Sequence, residues 1–207
     1  MKKGLFITFE GMDGAGKTTQ IRLLKAHLEA KGHPVLLTRE PGGTPISDRI
    51  RALILDVNNT GMDPMAELLL YYASRAQHIQ EVILPSLKKG VTVICDRFYD
   101  SSYAYQQSGR AIDKAVLDRL NEMVVKDCRP DVTFLLDLPE AESESRLNSR
   151  GTQPDRLELE NAAFRQRVRQ GFLAQAAAEP DRIRVVDASG SVEEIFSSIA
   201  GTMEQML

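Results

Sequence analysis

The segment Gly11–Thr18, GMDGAGKT, restricts the fold of this chain more than any other stretch. It follows the apolar run LFITF from Leu5, with only Glu10 between, and leads into a helical pattern. Glycines at 11, 14 and 16 let the backbone turn tightly with several N–H groups pointing inward. The spacing is GxxxxGK[ST] between a strand and a helix, where main-chain amides and the positive end of the helix dipole hold a polyphosphate. Lys17 then reaches the outer phosphates and Thr18 offers its hydroxyl to Mg²⁺. The nucleoside triphosphate site is therefore expected over Gly11, Met12, Asp13, Gly14, Ala15, Gly16, Lys17, Thr18 and Thr19.

A strand that ends in such a loop needs partners. Four further runs qualify: PVLLTR from Pro34, VTVICD from Val91, VTFLLD from Val132 and IRVVDA from Ile183. Helical patterns fill the gaps, so the expected fold is α/β, a doubly wound parallel sheet of five strands with helices on both faces. One helix is expected from about Lys17 to Lys31, closed by Gly32. A long one opens with Asp63 as cap and Pro64 in its first turn and runs to about Leu84, where Pro85 ends or kinks it. Another is expected from about Asp155, with Phe164, Val168 and Phe172 on one face, and a last one over Val192–Met206. RLNSRGTQPDR from Arg146 reads as a charged flap, a mobile lid at about 146–156.

With 207 residues the chain fits a single domain, and 43% hydrophobic against 27% charged residues favours neither disorder nor a fibrous architecture. A formal net charge of −3 supplies no global basic field, which argues against binding long nucleic acid. Cys95 and Cys128 make neither a CxxC motif nor a disulfide framework. Lys2 and Lys3 precede an apolar run that Glu10 interrupts, a poor match to a signal peptide, and no stretch reaches membrane-spanning length. A cytoplasmic location is expected.

The third strand ends in CDRFYDSS, which puts Asp96 at the carboxyl edge where P-loop proteins keep an acid near Mg²⁺. Arg97, next to it, suits a phosphate that belongs to an acceptor. TREPGGT, Thr38–Thr44, ends the second strand at the same edge and opens a helix bearing Arg49 and Arg51. On the long helix Tyr71, Arg75 and His78 share a face. Arg75 lies amid Leu68, Leu69, Tyr72 and Ala76 and needs a partner if buried, whereas His78 reads as structural.

FEGMDGAGKTT, TREPGGT, YYASRAQH, CDRFYDSSYAYQ, RPDVTFLLDL and SRGTQPDRLE together resemble the bacterial type of thymidylate kinase, in order and nearly end to end. The resemblance implies transfer of the γ-phosphoryl group of ATP to dTMP on a five-stranded P-loop fold, and a homodimer. It implies that Arg51 and Arg97 grip the dTMP phosphate, Tyr71 stacks on thymine and Arg75 bonds a thymine carbonyl. Ser102 and Gln106 would reach the base edge, and Tyr105 would lie against the sugar. Asp13 would bond that sugar or orient Arg97. The family places its helping arginine either in the P-loop or in the lid, and since no loop residue from Met12 to Ala15 is basic here, the resemblance implies the lid arrangement, with Arg150 as the finger and Arg156 and Arg146 as further lid cations, the latter flanking adenine. Two rival readings share parts of this sequence: another nucleoside monophosphate kinase, separable by acceptor preference, and a nucleotide-dependent switch that transfers nothing.

Overall fold

The computed structural model describes residues 4–148 and 153–207. The elements are β1 (Phe6–Glu10), α1 (Lys17–Ala30), β2 (Val35–Arg39), α2 (Pro45–Leu55), α3 (Pro64–His78), α4 (Leu84–Lys88), β3 (Thr92–Asp96), α5 (Tyr99–Ser102), α6 (Lys114–Val124), β4 (Val132–Asp137), α7 (Glu140–Asn148), α8 (Ala162–Ala178), β5 (Ile183–Asp187) and α9 (Val192–Glu204). All strand pairs are parallel, in the order β2-β3-β1-β4-β5. The expected five-stranded α/β sheet is observed.

Alternation along the strands decides the layers. Ile7 and Phe9 of β1, Ile94 of β3 and Phe134 and Leu136 of β4 pack on Ile21, Leu24 and Leu28 of α1 and on Ile195, Ile199 and Met203 of α9. The neighbouring residues face the other way. Phe6, Val93 and Cys95 meet Ile79, Ile83 and Leu87, while Leu135 and Ile183 meet Phe164, Val168 and Phe172 of α8. Each fully buried Ile, Leu or Phe contributes about 1.5–3 kcal/mol, so these two layers set the sheet firmly. Register does the rest: Phe9 lies opposite both Asp96 and Phe134. β1 and β3 therefore finish within one residue of each other and β4 runs two residues further, beside the point where strand order reverses, where open α/β sheets bind ligands.

Of the two outcomes expected at Pro85, an end or a kink, the structure rules out the end: residues Ile79–Ile83 widen into a π turn in which the Leu84 N–H bonds the Ile79 carbonyl. The wider turn accommodates the proline ring and its missing N–H, and the helix continues to Lys88. The helix expected from Asp155 starts at Ala162. Asp155 Oδ1 instead accepts the N–H groups of Leu157 and Glu158 in a local turn, and Asn161 Oδ1 caps α8 by accepting the Phe164 N–H at 2.9 Å.

Candidate active site

A cavity of about 750 Å³ opens at the carboxyl edge of the sheet. Asp13, Gly14, Ala15, Gly16, Lys17, Thr18 and Thr19 line one side, and Arg51, Tyr71, Arg75, Arg97, Tyr105 and Gln106 another, with Asp96 and Arg146 also on its wall. Gly11 and Met12 do not line it. Their carbonyls hold Lys17 Nζ, each at 3.0 Å. Gly11 is required by close approach: at φ 131° an added Cβ would lie 2.3 Å from the Leu136 carbonyl oxygen of β4. The rest of the loop, Asp13 to Gly16, lines the cavity at the start of α1, whose dipole favours an anion there.

The cations around this space repel one another. Burial and then the nearby Arg97 hold the Lys17 ammonium below its ordinary pKa, and burial and then Arg39 do the same to Arg51. Polyphosphate and phosphate ligands would relieve that repulsion. Arg97 sits at φ 70°, a costly conformation for a side-chain-bearing residue. It is held there from both sides, since its own N–H donates to the Phe9 carbonyl and the next N–H, of Phe98, donates to Glu10 Oε1 at 2.7 Å. Its guanidinium Nη2 donates to Asp13 Oδ1 at 2.8 Å and Nη1 to Ser101 Oγ, so the arginine bridges β3 and the phosphate loop.

Arg75 is 1% exposed and does find its partner. Nε donates to Glu40 Oε2 at 2.7 Å, Nη1 to Ser102 Oγ and Nη2 to the Phe98 carbonyl. Glu40 also bonds His78 Nδ1, and His78 Nε2 meets Thr38 Oγ1 at 2.6 Å. Ser102 therefore differs from its expected place: its hydroxyl is engaged by Arg75 and does not line the cavity, whereas Ser101 does. Arg156 differs too. Only 8% exposed, it donates from Nη2 to Glu67 at 2.6 Å and from Nε to the Ile54 carbonyl, anchoring the lid's end against α2 and α3. Arg146 donates to the Ala188 carbonyl at the cavity rim. Arg150 lies outside the described residues.

Thr18 and Asp96 were the expected Mg²⁺ pair. Asp96 Oδ1 is buried with no hydrogen-bond partner among the described residues, and Thr18 is exposed on the cavity wall. A hard cation bound through carboxylate, hydroxyl and water oxygen fits this donor set.

Sequence reasoning missed Glu10, Glu40 and Glu67 as supports of the site. For Glu10 a signal existed, a charge inside a strand covered on both faces. Glu40 sat inside the TREPGGT motif without being singled out, and Glu67 carried no signal, since its partners come from distant segments.

The sheet, the glycine loop and a second basic wall across one cavity define a P-loop kinase of the nucleoside monophosphate class. The thymidylate kinase family model matches residues 9–199. A thymidylate kinase of Trichlorobacter lovleyi is 51% identical over 201 residues, 95% of each chain, and one of Citrifermentans bemidjiense is 48% identical over 99% of this chain and 93% of its own. The crystal structure of thymidylate kinase from Ehrlichia chaffeensis superposes with a TM-score of 0.80 at 35% identity, covering 97% of this chain and 99% of the other. The chain belongs to the thymidylate kinase family and is a phosphotransferase.

Proposed function

We propose that the chain transfers the γ-phosphoryl group of ATP to dTMP, giving ADP and dTDP on the way to dTTP. An oxygen of the dTMP phosphate attacks the γ-phosphorus in line, and the bond to the β–γ bridging oxygen breaks as ADP leaves. The loop amides and Lys17 bind the donor phosphates, with Lys17 stabilising charge on the migrating group. Arg97 and Arg51 hold the acceptor phosphate. Tyr71 stacks on thymine, Arg75 donates to a base carbonyl, Gln106 meets the base edge, and Tyr105 and Asp13 position the sugar and Arg97. Arg146 flanks adenine, and Arg150 of the lid supplies a further cation. Mg²⁺, held by Thr18 and Asp96, would neutralise phosphate charge between donor and acceptor.

The observation that carries this reading is the single cavity with a phosphate cradle on one side and an aromatic and guanidinium wall on the other. The rest follows the family. We take the chain as one P-loop kinase domain over 1–207, with a lid at about 146–156, working in the cytoplasm as a homodimer. Among the described residues no helix is long and apolar enough to cross a membrane.

Coupled ADP release across purified nucleoside monophosphates tests donor and acceptor together. The expected outcome is a preference for dTMP, a loss of kcat by about a hundredfold or more in Lys17→Ala, and in Arg97→Ala a KM for dTMP raised more than kcat is lowered. Preference for a purine monophosphate would refute the assignments of Tyr71 and Arg75.

A further inference from the structure

Glu67, one turn before Tyr71 on α3, is 1% exposed and carries no role in the transfer described above. Four donor atoms from three residues converge on it. Oε1 accepts from Gln106 Nε2 at 2.9 Å and from Arg110 Nε at 3.4 Å, and Oε2 accepts from Arg156 Nη2 at 2.6 Å and Arg110 Nη2 at 3.2 Å. Burial opposes its charge, yet the bonds from Gln106, Arg110 and Arg156 hold the carboxyl below its ordinary pKa. An ionised carboxylate has only lone pairs to offer. The Gln106 atom facing it must therefore be the NH₂ group, and the carbonyl Oε1 must turn the opposite way. That carbonyl accepts from none of the described residues, and Gln106 lies on the cavity wall 1% exposed. It belongs to the π-helical stretch Tyr103–Gly109, whose widened turn aims successive side chains, Tyr105 and Gln106, at the same space.

An acceptor of fixed orientation on a cavity wall discriminates sharply, because a ligand that presents a second acceptor leaves two lone pairs facing each other. Thymine and uracil carry N–H at position 3, where cytosine carries a lone pair. We propose that Glu67 is a positioning residue for base selection: by holding the Gln106 amide in one orientation it makes the site accept pyrimidine monophosphates with an N3–H and reject those without. Arg156 ties this lock to the end of the lid. The inference rests on the reading of the cavity as the dTMP site.

The test compares kcat/KM for dTMP, dUMP and dCMP, with the Ki of dCMP against dTMP replacing turnover if that is too slow. Ratios within one preparation cancel the active fraction. In Glu67→Gln the new side chain both donates and accepts, so the Gln106 amide is released to turn over. The dTMP:dCMP ratio is expected to fall by about tenfold, mostly through KM, while the dTMP:dUMP ratio stays put because those bases share the N3 edge. Glu67→Asp keeps a charge against Arg110 and Arg156 but withdraws it from Gln106. It should move the same ratio in the same direction even if Glu67→Gln does not fold. Gln106→Ala should lower the ratio, and adding Glu67→Gln to it should change the ratio no further. A wild type that prefers a purine overturns the site reading and this proposal with it. A wild type that prefers dTMP, combined with an unmoved dTMP:dCMP ratio in the folded Glu67 variants, or equal movement of both ratios, overturns the proposal alone.

Discussion

Glu10, Glu40 and Glu67 are carboxylates with 4% exposure or less, and each fixes a group that faces the cavity. Removing water from a carboxylate is costly unless donors replace it, so their placement ties site geometry to the folded state. Glu10 shows how narrow the balance is. Burial and then the nearby Asp100 push it up to about 7, against the opposing pull of Arg97 and the bonds from Ser101 and Phe98. A raised folded pKa means that the folded state binds the proton more tightly than the unfolded one. The stability so gained is fully present below the unfolded value of about 4.5 and is lost as pH rises through about 7. Glu10→Gln, isosteric and always neutral, should escape that loss. The expected result is that Tm of the variant minus Tm of the wild type increases from pH 5 to pH 8, measured by thermal unfolding in matched buffers. A difference that shrinks over this range would mean that the ionised form is the better satisfied one.

At the scale of elements, α7 and the phosphate loop lock together. Ser143 Oγ donates to the Asp13 carbonyl at 2.6 Å, and a Cβ on Gly14 would lie 2.9 Å from the Ser143 carbonyl oxygen, at a φ of 85° that side chains rarely adopt. Gly14→Ala must therefore both strain the loop and push back the helix that leads into the lid. Strain of about 1–3 kcal/mol predicts a KM for ATP raised by roughly tenfold, with the KM for dTMP changing much less, read from initial rates with the other substrate saturating. This contact was invisible in the sequence, where 130 residues separate the two partners. What the sequence did carry were the periodic and local features: five strands, the loop, and the start of α3, with Asp63 as cap and Pro64 in its first turn. A π turn leaves no such trace, because the same side chains serve an α or a π register. Hence the helix continuing past Pro85 and the re-aimed stretch at Tyr105 and Gln106 emerge only from the coordinates. Asp155 reads in the sequence as the start of α8, but its carboxylate closes a local turn, and Asn161, six residues on, caps the helix. Arg51, Tyr71, Arg75 and Gln106 come together because α2 and the segment after β3 leave the carboxyl edge of the sheet and the C-terminal part of α3 returns to it, where His78 meets Thr38 of β2. Their roles, though, were legible only through likeness to a family, since no spacing links residues on three separate elements.

The whole molecule sets a formal net charge of −3 against a cavity lined by Lys17, Arg39, Arg51, Arg75, Arg97 and Arg146. Attraction for anions is thus concentrated in the site and balanced by acidic surface elsewhere. That surface has one feature out of keeping with a solvated shell. Met65, Leu69 and Ala73 recur at i+4 along α3 and are exposed, and Ile46 and Leu53 are exposed on the adjoining α2, with Val57 just beyond its end. Opposite faces of α3 then do opposite work, because Glu67, Tyr71 and Arg75 on the inner face are buried. Two neighbouring apolar stripes suit a self-complementary interface, in which the same patch meets its copy across a twofold axis. On that basis light scattering after size exclusion should give twice the mass of the 207-residue chain. Leu69, 49% exposed in the single chain, is central to the α3 stripe between Met65 and Ala73, so if that stripe is the interface Leu69→Glu should place unpaired charges in it and shift the protein toward monomer at micromolar concentration. Because Leu69 lies two residues from Tyr71 on the same rigid helix, loss of the interface should also loosen the acceptor wall. The variant's KM for dTMP should rise with dilution, while that for ATP, bound on the other side of the cavity, should not. A variant that remains dimeric, or a wild type that is monomeric throughout, would assign these stripes to some other surface role.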